Sequence, residues 1–405
     1  MASTFTPYAG LADTIQDVAA SGTTKAHLRL GQLFTLGFIA AAYLSFATTL
    51  SLVVGAGIET PGLQKLVMGL VFPIGLISLV IAGGEMWTGT SMNAPVAGMM
   101  GRVRWQDVLY TLVGSYAGNF AGGLFCAWLL IKGSNVLIGP GYAGPAWGDL
   151  LHKLTLMKVS LSFSQAFWRG FACVWLVDLA VFLSFRAQDT AGKFFLVWFP
   201  AATFFAIGLE HSVVNMFLIP AGIMAGSTVT WGQFFFYNQI PVTLGNAAAG
   251  AFCLGLGYWY AAGMPVRKER GDPGADPYFS PHSAYVHGDH RYLARTVLAI
   301  VKVVVGLALL MPGLASLLTF WLFEGTPAPH AGVLDHPGLF PLYGEPLIVL
   351  VLFGLLMKLC AMKTKTSAVQ ITMTDRGAED TENGTGVKAM DPPRPYRTDG
   401  VVTPH

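Results

Sequence analysis

The sequence predicts an all-α membrane protein: six transmembrane passes in an inverted three-plus-three repeat, with the second and fifth passes broken and two further apolar helices after them. Three observations carry this. Hydrophobic residues make up 53% of the 405-residue chain and charged residues 11%, against about 25% charged in soluble domains. The apolar runs approach or exceed the roughly 20 residues that cross a hydrocarbon core. Short glycine- and glutamate-bearing motifs recur in the same order in two halves of the chain.

Residues 1–27 form a polar N-terminal segment. Asp13 and Asp17 and the lack of a basic-then-apolar pattern set it apart from a secretory signal, and its acidity from a transit peptide. A six-pass domain spans 28–263. Its candidate passes are Leu30–Gly55, Leu66–Gly84 continuing as Ser91–Met100, Val108–Ile131, Phe167–Phe185, Phe194–Gly208 continuing as Ser212–Met224, and Ile240–Ala262. A polar linker, 264–292, leads to an apolar hairpin within 293–362, formed by Leu293–Phe323 and Pro346–Met362. The tail, 363–405, is rich in Thr, Asp, Glu, Pro and Lys and is expected to be disordered.

The repeat is read from four matches. Gly83-Gly84-Glu85 recurs as Gly208-Leu209-Glu210, and each glutamate precedes a proline by ten residues, Pro95 and Pro220. Ala97-Gly98-Met99-Met100-Gly101 has a counterpart in Ala221 to Gly226, and Gly118-Asn119 in Gly245-Asn246. An odd number of passes per half gives the halves opposite topology. Interrupted helices at equivalent places in inverted repeats point to the transport pathway.

Lys and Arg are concentrated in the loops around Arg102 and Arg104, Arg186 and Lys193, and Arg267 to Arg270, with Lys25 and Arg29 on that same side. This predicts a cytoplasmic location for that face and for both termini, in an inner or plasma membrane. Net charge is +2, which suggests no nucleic-acid partner. Cys126, Cys173, Cys253 and Cys360 lie in apolar runs without metal-ligand spacing, so neither a disulfide framework nor a metal or other cofactor is expected.

Chemistry concentrates at the breaks. Glu210, His211 and Asn215 interrupt an otherwise apolar stretch, and polar groups at that depth face a partner or a water-filled cavity. His211 has two readings: a pore-lining group that attracts or exchanges a proton with an anion, or a buried hydrogen-bonding group that holds a broken helix together. Glu85 and Glu210 read as structural support, accepting hydrogen bonds from backbone N–H groups freed at the breaks, because a carboxylate in the lumen would repel anions. Gly83 to Thr90 forms a loop at membrane depth, tolerated where it faces protein or water, with Thr88 able to reach His211.

These residues resemble the formate/nitrite transporter family. The family's Gly-Ala-Glu-Leu-Phe-Thr-Gly stands here as Gly83-Gly84-Glu85-Met86-Trp87-Thr88-Gly89, and its Gly-Phe-Glu-His-x-x-Ala-Asn-Met-Phe as Gly208 to Phe217. Trp198-Phe199-Pro200 and Pro241 to Asn246 also resemble family stretches, and the likeness runs from about Lys25 to Tyr260. It implies aquaporin-like protomers in a homopentamer, each with its own pore. It makes His211 the central pore histidine, with Thr88 facing it and Asn215 one turn on. Phe72, Leu76, Met86, Trp87 and Phe204 take the positions of two apolar constrictions, and Lys25 and Lys158 those of lysines at the two vestibules. This chain departs from the pattern in Trp87, where Phe is usual, in Val174, where Asn is common, and in the 293–362 hairpin.

The expected activity is transport of a small monovalent anion such as formate or nitrite with protons. Bare ions lose many kcal/mol of hydration in an apolar ring, whereas the neutral acid does not. The alternatives are an anion channel for hydrosulfide, bicarbonate or lactate, passage of water, glycerol or ammonia, and a membrane-embedded enzyme. No Asn-Pro-Ala tripeptide favours an aquaporin, and neither a nucleophile–base arrangement nor metal spacing in the apolar segments favours an enzyme.

Overall fold

The first described helix, α1 (Leu11–His27), lies in what the sequence reading left as a polar segment. Ile15, Val18, Ala19, Gly22 and Ala26 recur at helical spacing and are buried. Beyond Ile15 and Val18 the stripe is alanine and glycine, so it is narrow and easily read as polar. Helix α2 (Leu30–Gly55) is the first pass. The second pass is α3 (Pro61–Val71) and α4 (Pro73–Ala82), joined at Phe72, followed by a break and then the half-helix α5 (Trp87–Met99). The third pass, α6 (Trp105–Trp128), runs on through the wider turns of Leu129–Gly133. Helix α7 (Pro145–Val159) occupies what the sequence suggested was a loop.

The second half repeats this order. Helix α8 (Phe163–Arg186) is a full pass, α9 (Thr190–Ala206) and the half-helix α10 (Ser212–Met224) flank a break, and α11 (Trp231–Ala261) closes the domain. Leu30–Gly55, Pro61–Ala82, Phe163–Arg186 and Trp231–Ala261 are each long and apolar enough to cross a membrane. The protein is a helical membrane protein. The repeat is larger than three passes per half, because α1 and α7 are also counterparts, each lying against the half-helix of its own repeat.

This computed structural model describes residues 8–138, 145–267, 285–287, 290–304 and 306. The described residues fall within one compact unit. Within the linker, Pro265–Arg267 pairs antiparallel with Tyr285–His287. A helix follows, α12, over 290–304, and it begins the apolar stretch after the linker. The remainder of the 293–362 hairpin, Cys360 and the 363–405 tail lie outside the described residues.

Both breaks open with a glycine in the left-handed region. Gly83 has φ +84° and caps α4, and Gly208 has φ +76° just after α9. A side chain there would cost about 1–2 kcal/mol. Close approach elsewhere needs the repeated Gly-Asn pairs. A Cβ on Gly118 would come within 2.4 Å of the Phe34 carbonyl, and one on Gly245 within 2.1 Å of the Phe167 carbonyl. The glycines seat α6 on α2 and α11 on α8, and so bring the asparagines that follow them to the breaks.

Candidate functional site

Each break leaves backbone N–H groups at the start of a half-helix and carbonyls at the end of the preceding strand of chain. Asn119 Oδ1 accepts the Trp87 N–H at 2.8 Å, and its Nδ2 donates to the carbonyls of Gly37 at 2.7 Å and Glu85 at 2.8 Å. Asn246 does the same in the other half: Oδ1 accepts the Ser212 N–H at 2.9 Å, and Nδ2 donates to Gly170 O at 2.8 Å and Glu210 O at 3.1 Å. The expectation that the Glu85 and Glu210 carboxylates would take the freed N–H groups is therefore corrected. A neutral amide does that work, since it donates and accepts at once. The glutamates contribute through their backbones, with Glu85 N donating to Leu36 O and Glu210 N to Arg169 O.

The carboxylates are instead buried counter-charges for lysines. Glu85 pairs with Lys25 of α1 at 3.1 Å and accepts the Thr90 hydroxyl. Glu210 pairs with Lys158 of α7 at 3.0 Å and accepts Nδ2 of Asn215 at 2.8 Å and of Asn238 at 3.0 Å. The two lysines predicted at opposite vestibules each pair with the glutamate just before the half-helix of their own repeat, Lys25 from α1 and Lys158 from α7. Thr90, Asn119, Asn238 and Asn246 have site roles that sequence reasoning missed. The repeat already flagged Asn119 and Asn246, and Thr90 stands five residues after Glu85 as Asn215 does after Glu210.

His211 precedes α10 and caps it: Nδ1 accepts the Val214 N–H at 3.2 Å. A neutral ring in this arrangement carries its proton on Nε2, which lies 3.0 Å from Thr88 Oγ1. Nε2–H then donates to Thr88, whose own hydroxyl proton is left to point elsewhere. The contact joins the N-terminal turns of two half-helices from opposite repeats, whose dipoles favour negative charge or an electron-rich oxygen. Met86 takes the equivalent N-terminal position before α5.

The apolar residues singled out by resemblance are all buried. Phe72 packs edge-on to Phe204 with centroids 5.4 Å apart, and Phe204 lies over the His211 ring at 5.7 Å. Phe72 also stacks on Phe205 at 4.1 Å. Leu76 is on α4, and Met86 and Trp87 open α5. A cavity of about 410 Å³ leads from Pro61, Lys65 and Lys153 down to Phe204, Glu210 and His211. Lys158 and Arg169 also line it, so four cations face one carboxylate along its wall. Lys65 and Lys153 read from sequence only as loop lysines and Arg169 only as part of the fourth pass, so none of the three was anticipated as a wall residue.

A family model described as "Formate/nitrite transporter" matches residues 12–260. The chain belongs to the formate/nitrite transporter family. This family member is 40% identical over 262 residues to a probable formate transporter of Methanothermobacter thermautotrophicus, covering 62% of the chain and 95% of the relative. It is 32% identical to the nitrite transporter NirC of Escherichia coli over 63% of its own length and 94% of the relative's. The formate channel FocA of Haemophilus influenzae is 34% identical, covering 54% of the chain and 80% of the relative. Among solved structures, an FNT family ion channel superposes with a TM-score of 0.56 at 30% identity, covering 62% of this chain and 98% of that one. A pentameric formate channel with formate bound gives 0.51 at 28% identity, with 57% and 97% covered. These relatives are transporters and channels, and this formate/nitrite transporter family member is not an enzyme. The family match ends before the linker, so α12 lies outside it.

Proposed function

We propose that the protein moves small monovalent acids of the formate and nitrite class across an inner or plasma membrane, coupled to protons, with passage as the neutral acid past His211. The observation that carries this reading is the Thr88–His211 contact at 3.0 Å, where two half-helix N-termini meet, each preceded by a glutamate paired with a lysine. The cationic wall of the 410 Å³ cavity concentrates anions at the mouth. The Phe72–Phe204 pair beyond it offers no replacement for a hydration shell, which favours the protonated form of the passenger. His211 suits a neutral passenger. A second proton would have to take the Nδ1 position that the Val214 N–H occupies, so the ring acts here as a donor through Nε2–H toward Thr88 rather than as a fixed charge.

Residues 28–263 form the transport domain of this proposal, in protomers that assemble as pentamers. The Lys25 side faces the cytoplasm, and the Lys158 cavity opens opposite. The test is uptake of radiolabelled formate and nitrite into proteoliposomes under an imposed pH gradient, comparing wild type with His211→Ala and Thr88→Ala. Uptake should rise with an inward proton gradient and change markedly in His211→Ala. Electrogenic flux indifferent to the gradient would replace this reading with anion conduction. An unchanged rate and pH profile in His211→Ala would remove that residue from the pathway.

A further inference from the structure

Trp87 stands where the family motif has phenylalanine, as the first residue of α5 and directly before Thr88. Its side chain is fully buried, and its indole Nε1–H has no hydrogen-bond partner among the described residues. A buried donor left unpaired costs about 1–3 kcal/mol, whereas the phenylalanine of the motif would carry no such penalty. The indole packs edge-on against Tyr116 of α6, with centroids 5.3 Å apart. The Tyr116 hydroxyl accepts Nε2 of Gln239 at 2.7 Å and lies 3.3 Å from Thr243 Oγ1. With the amide oriented to donate to Tyr116, Oε1 of Gln239 is buried and also without a partner among the described residues. Gln239 is buried and ends the Phe234–Gln239 segment, which is wound in wider turns, a feature frequent at functional sites.

An orphan donor and an orphan acceptor therefore flank one tyrosine, next to the residue that meets His211. This pairing is complementary to a neutral carboxylic or nitrous acid, which accepts through its carbonyl or nitroso oxygen and donates through its O–H. A bare monovalent anion has no proton for the acceptor. We propose that Trp87 and Gln239 form a recognition site for the protonated acid on the Tyr116 side of α5, with the indole N–H donating to the acid's oxygen and Gln239 Oε1 accepting its hydroxyl. The proposal rests on the neutral-acid reading above and deepens it by naming specificity-determining residues. It also accounts for an aromatic donor that a merely apolar constriction does not require.

The experiment uses the full chain in nanodiscs and proteoliposomes, with formate as the probe. Trp87→Phe returns the side chain found in the family motif, keeps an aromatic ring and removes only the donor. Gln239→Met keeps length and removes the amide. Each is expected to raise the half-saturation concentration for formate about three- to tenfold, the effect of one hydrogen bond, with the maximal rate changed less. Ultraviolet resonance Raman difference spectra, wild type minus Trp87→Phe, should show the indole N–H becoming hydrogen-bonded as formate is added at acidic pH. Unchanged half-saturation in Trp87→Phe with no formate-dependent indole signal overturns the proposal. If Trp87→Phe fails to assemble, Trp87→Leu supplies the reference for the difference spectrum; if Gln239→Met fails, the indole signal alone decides, its presence supporting the site and its absence refuting it. Wild-type vesicles that carry no formate would sink the transport reading. The Raman measurement reports binding without flux, so it would still decide the inference.

Discussion

The two halves of the molecule share one scaffold and carry different chemistry. Lys25, Glu85 and Thr90 in the first half correspond to Lys158, Glu210 and Asn215 in the second. Asn119 and Asn246 make the same three hydrogen bonds. At the half-helix starts the correspondence fails: Met86, Trp87 and Thr88 stand where His211, Ser212 and Val213 stand. What repeats is what any broken helix at membrane depth requires, satisfied backbone groups and a neutralised carboxylate. What differs is what a passing solute meets. The comparison separates scaffold from selectivity within a single chain, and substitutions in matched pairs can test it.

The largest effects are expected at the asparagines. Asn119→Ala or Asn246→Ala strips a donor from two buried carbonyls and an acceptor from one buried N–H. With about 1–3 kcal/mol for each orphaned group, a loss near 3–5 kcal/mol is expected in either half. Purified variants should show matching drops in thermal unfolding midpoint. A large drop in one half only would show that the repeat is not mechanically equivalent.

The lysines should break that equality. Lys25→Met leaves Glu85 with the Thr90 hydroxyl as its partner, whereas Lys158→Met leaves Glu210 with two amide donors, from Asn215 and Asn238. Removing one member of a buried pair costs about 3–5 kcal/mol when the other charge is left alone, and less when hydrogen bonds remain. Lys25→Met should therefore destabilise by about 3 kcal/mol and Lys158→Met by about half as much. The double variants Lys25→Met/Glu85→Gln and Lys158→Met/Glu210→Gln should recover most of each loss. Equal destabilisation by the two single lysine substitutions would refute the role given to the Glu210 amide cluster.

Much of this architecture is legible in the amino-acid order. The passes follow from apolar length, and the breaks from Gly83-Gly84 and Gly208 with their glutamates. Residues that act through side-chain chemistry at an apolar depth, such as His211, stand out because they are expensive there. Three things were not legible. Helix α1 has only Ile15 and Val18 as larger apolar residues on a buried face otherwise made of threonine, alanine and glycine, and α7 reads as a lysine-bearing loop. The destination of the Glu85 and Glu210 carboxylates depends on lysines 60 and 52 residues away in the chain, a pairing that no local pattern encodes. The backbone role of Asn119 and Asn246 appears only when α6 and α11 close on α2 and α8 through neighbouring glycines.

Gly83→Ala and Gly208→Ala return to equivalence at smaller amplitude. Each forces a Cβ into a left-handed residue, for about 1–2 kcal/mol. Neither glycine carries a side chain to the site, so flux per folded protein should stay within about twofold of wild type by the rate arithmetic of a few tenths of a kcal/mol. A selective loss of flux without loss of stability would instead make the break itself a moving part.

The smallest effect is expected from exchanging the hydroxyl between halves. Thr88→Val removes the partner of His211 Nε2 but keeps the β-branched shape, so stability should fall by about 1 kcal/mol, the lower end of the cost of one unpaired buried N–H. Uptake should fall less than tenfold, because the imidazole stays capped on Val214 and only its orientation loosens. The reciprocal change, Val213→Thr, places a hydroxyl at the matching point of the other repeat, where the facing position is Met86 rather than an imidazole. It should neither raise uptake nor rescue Thr88→Val in the double variant. Rescue would mean that a hydroxyl near the midpoint suffices from either side, and that the donor chain from His211 to Thr88 has no directional role.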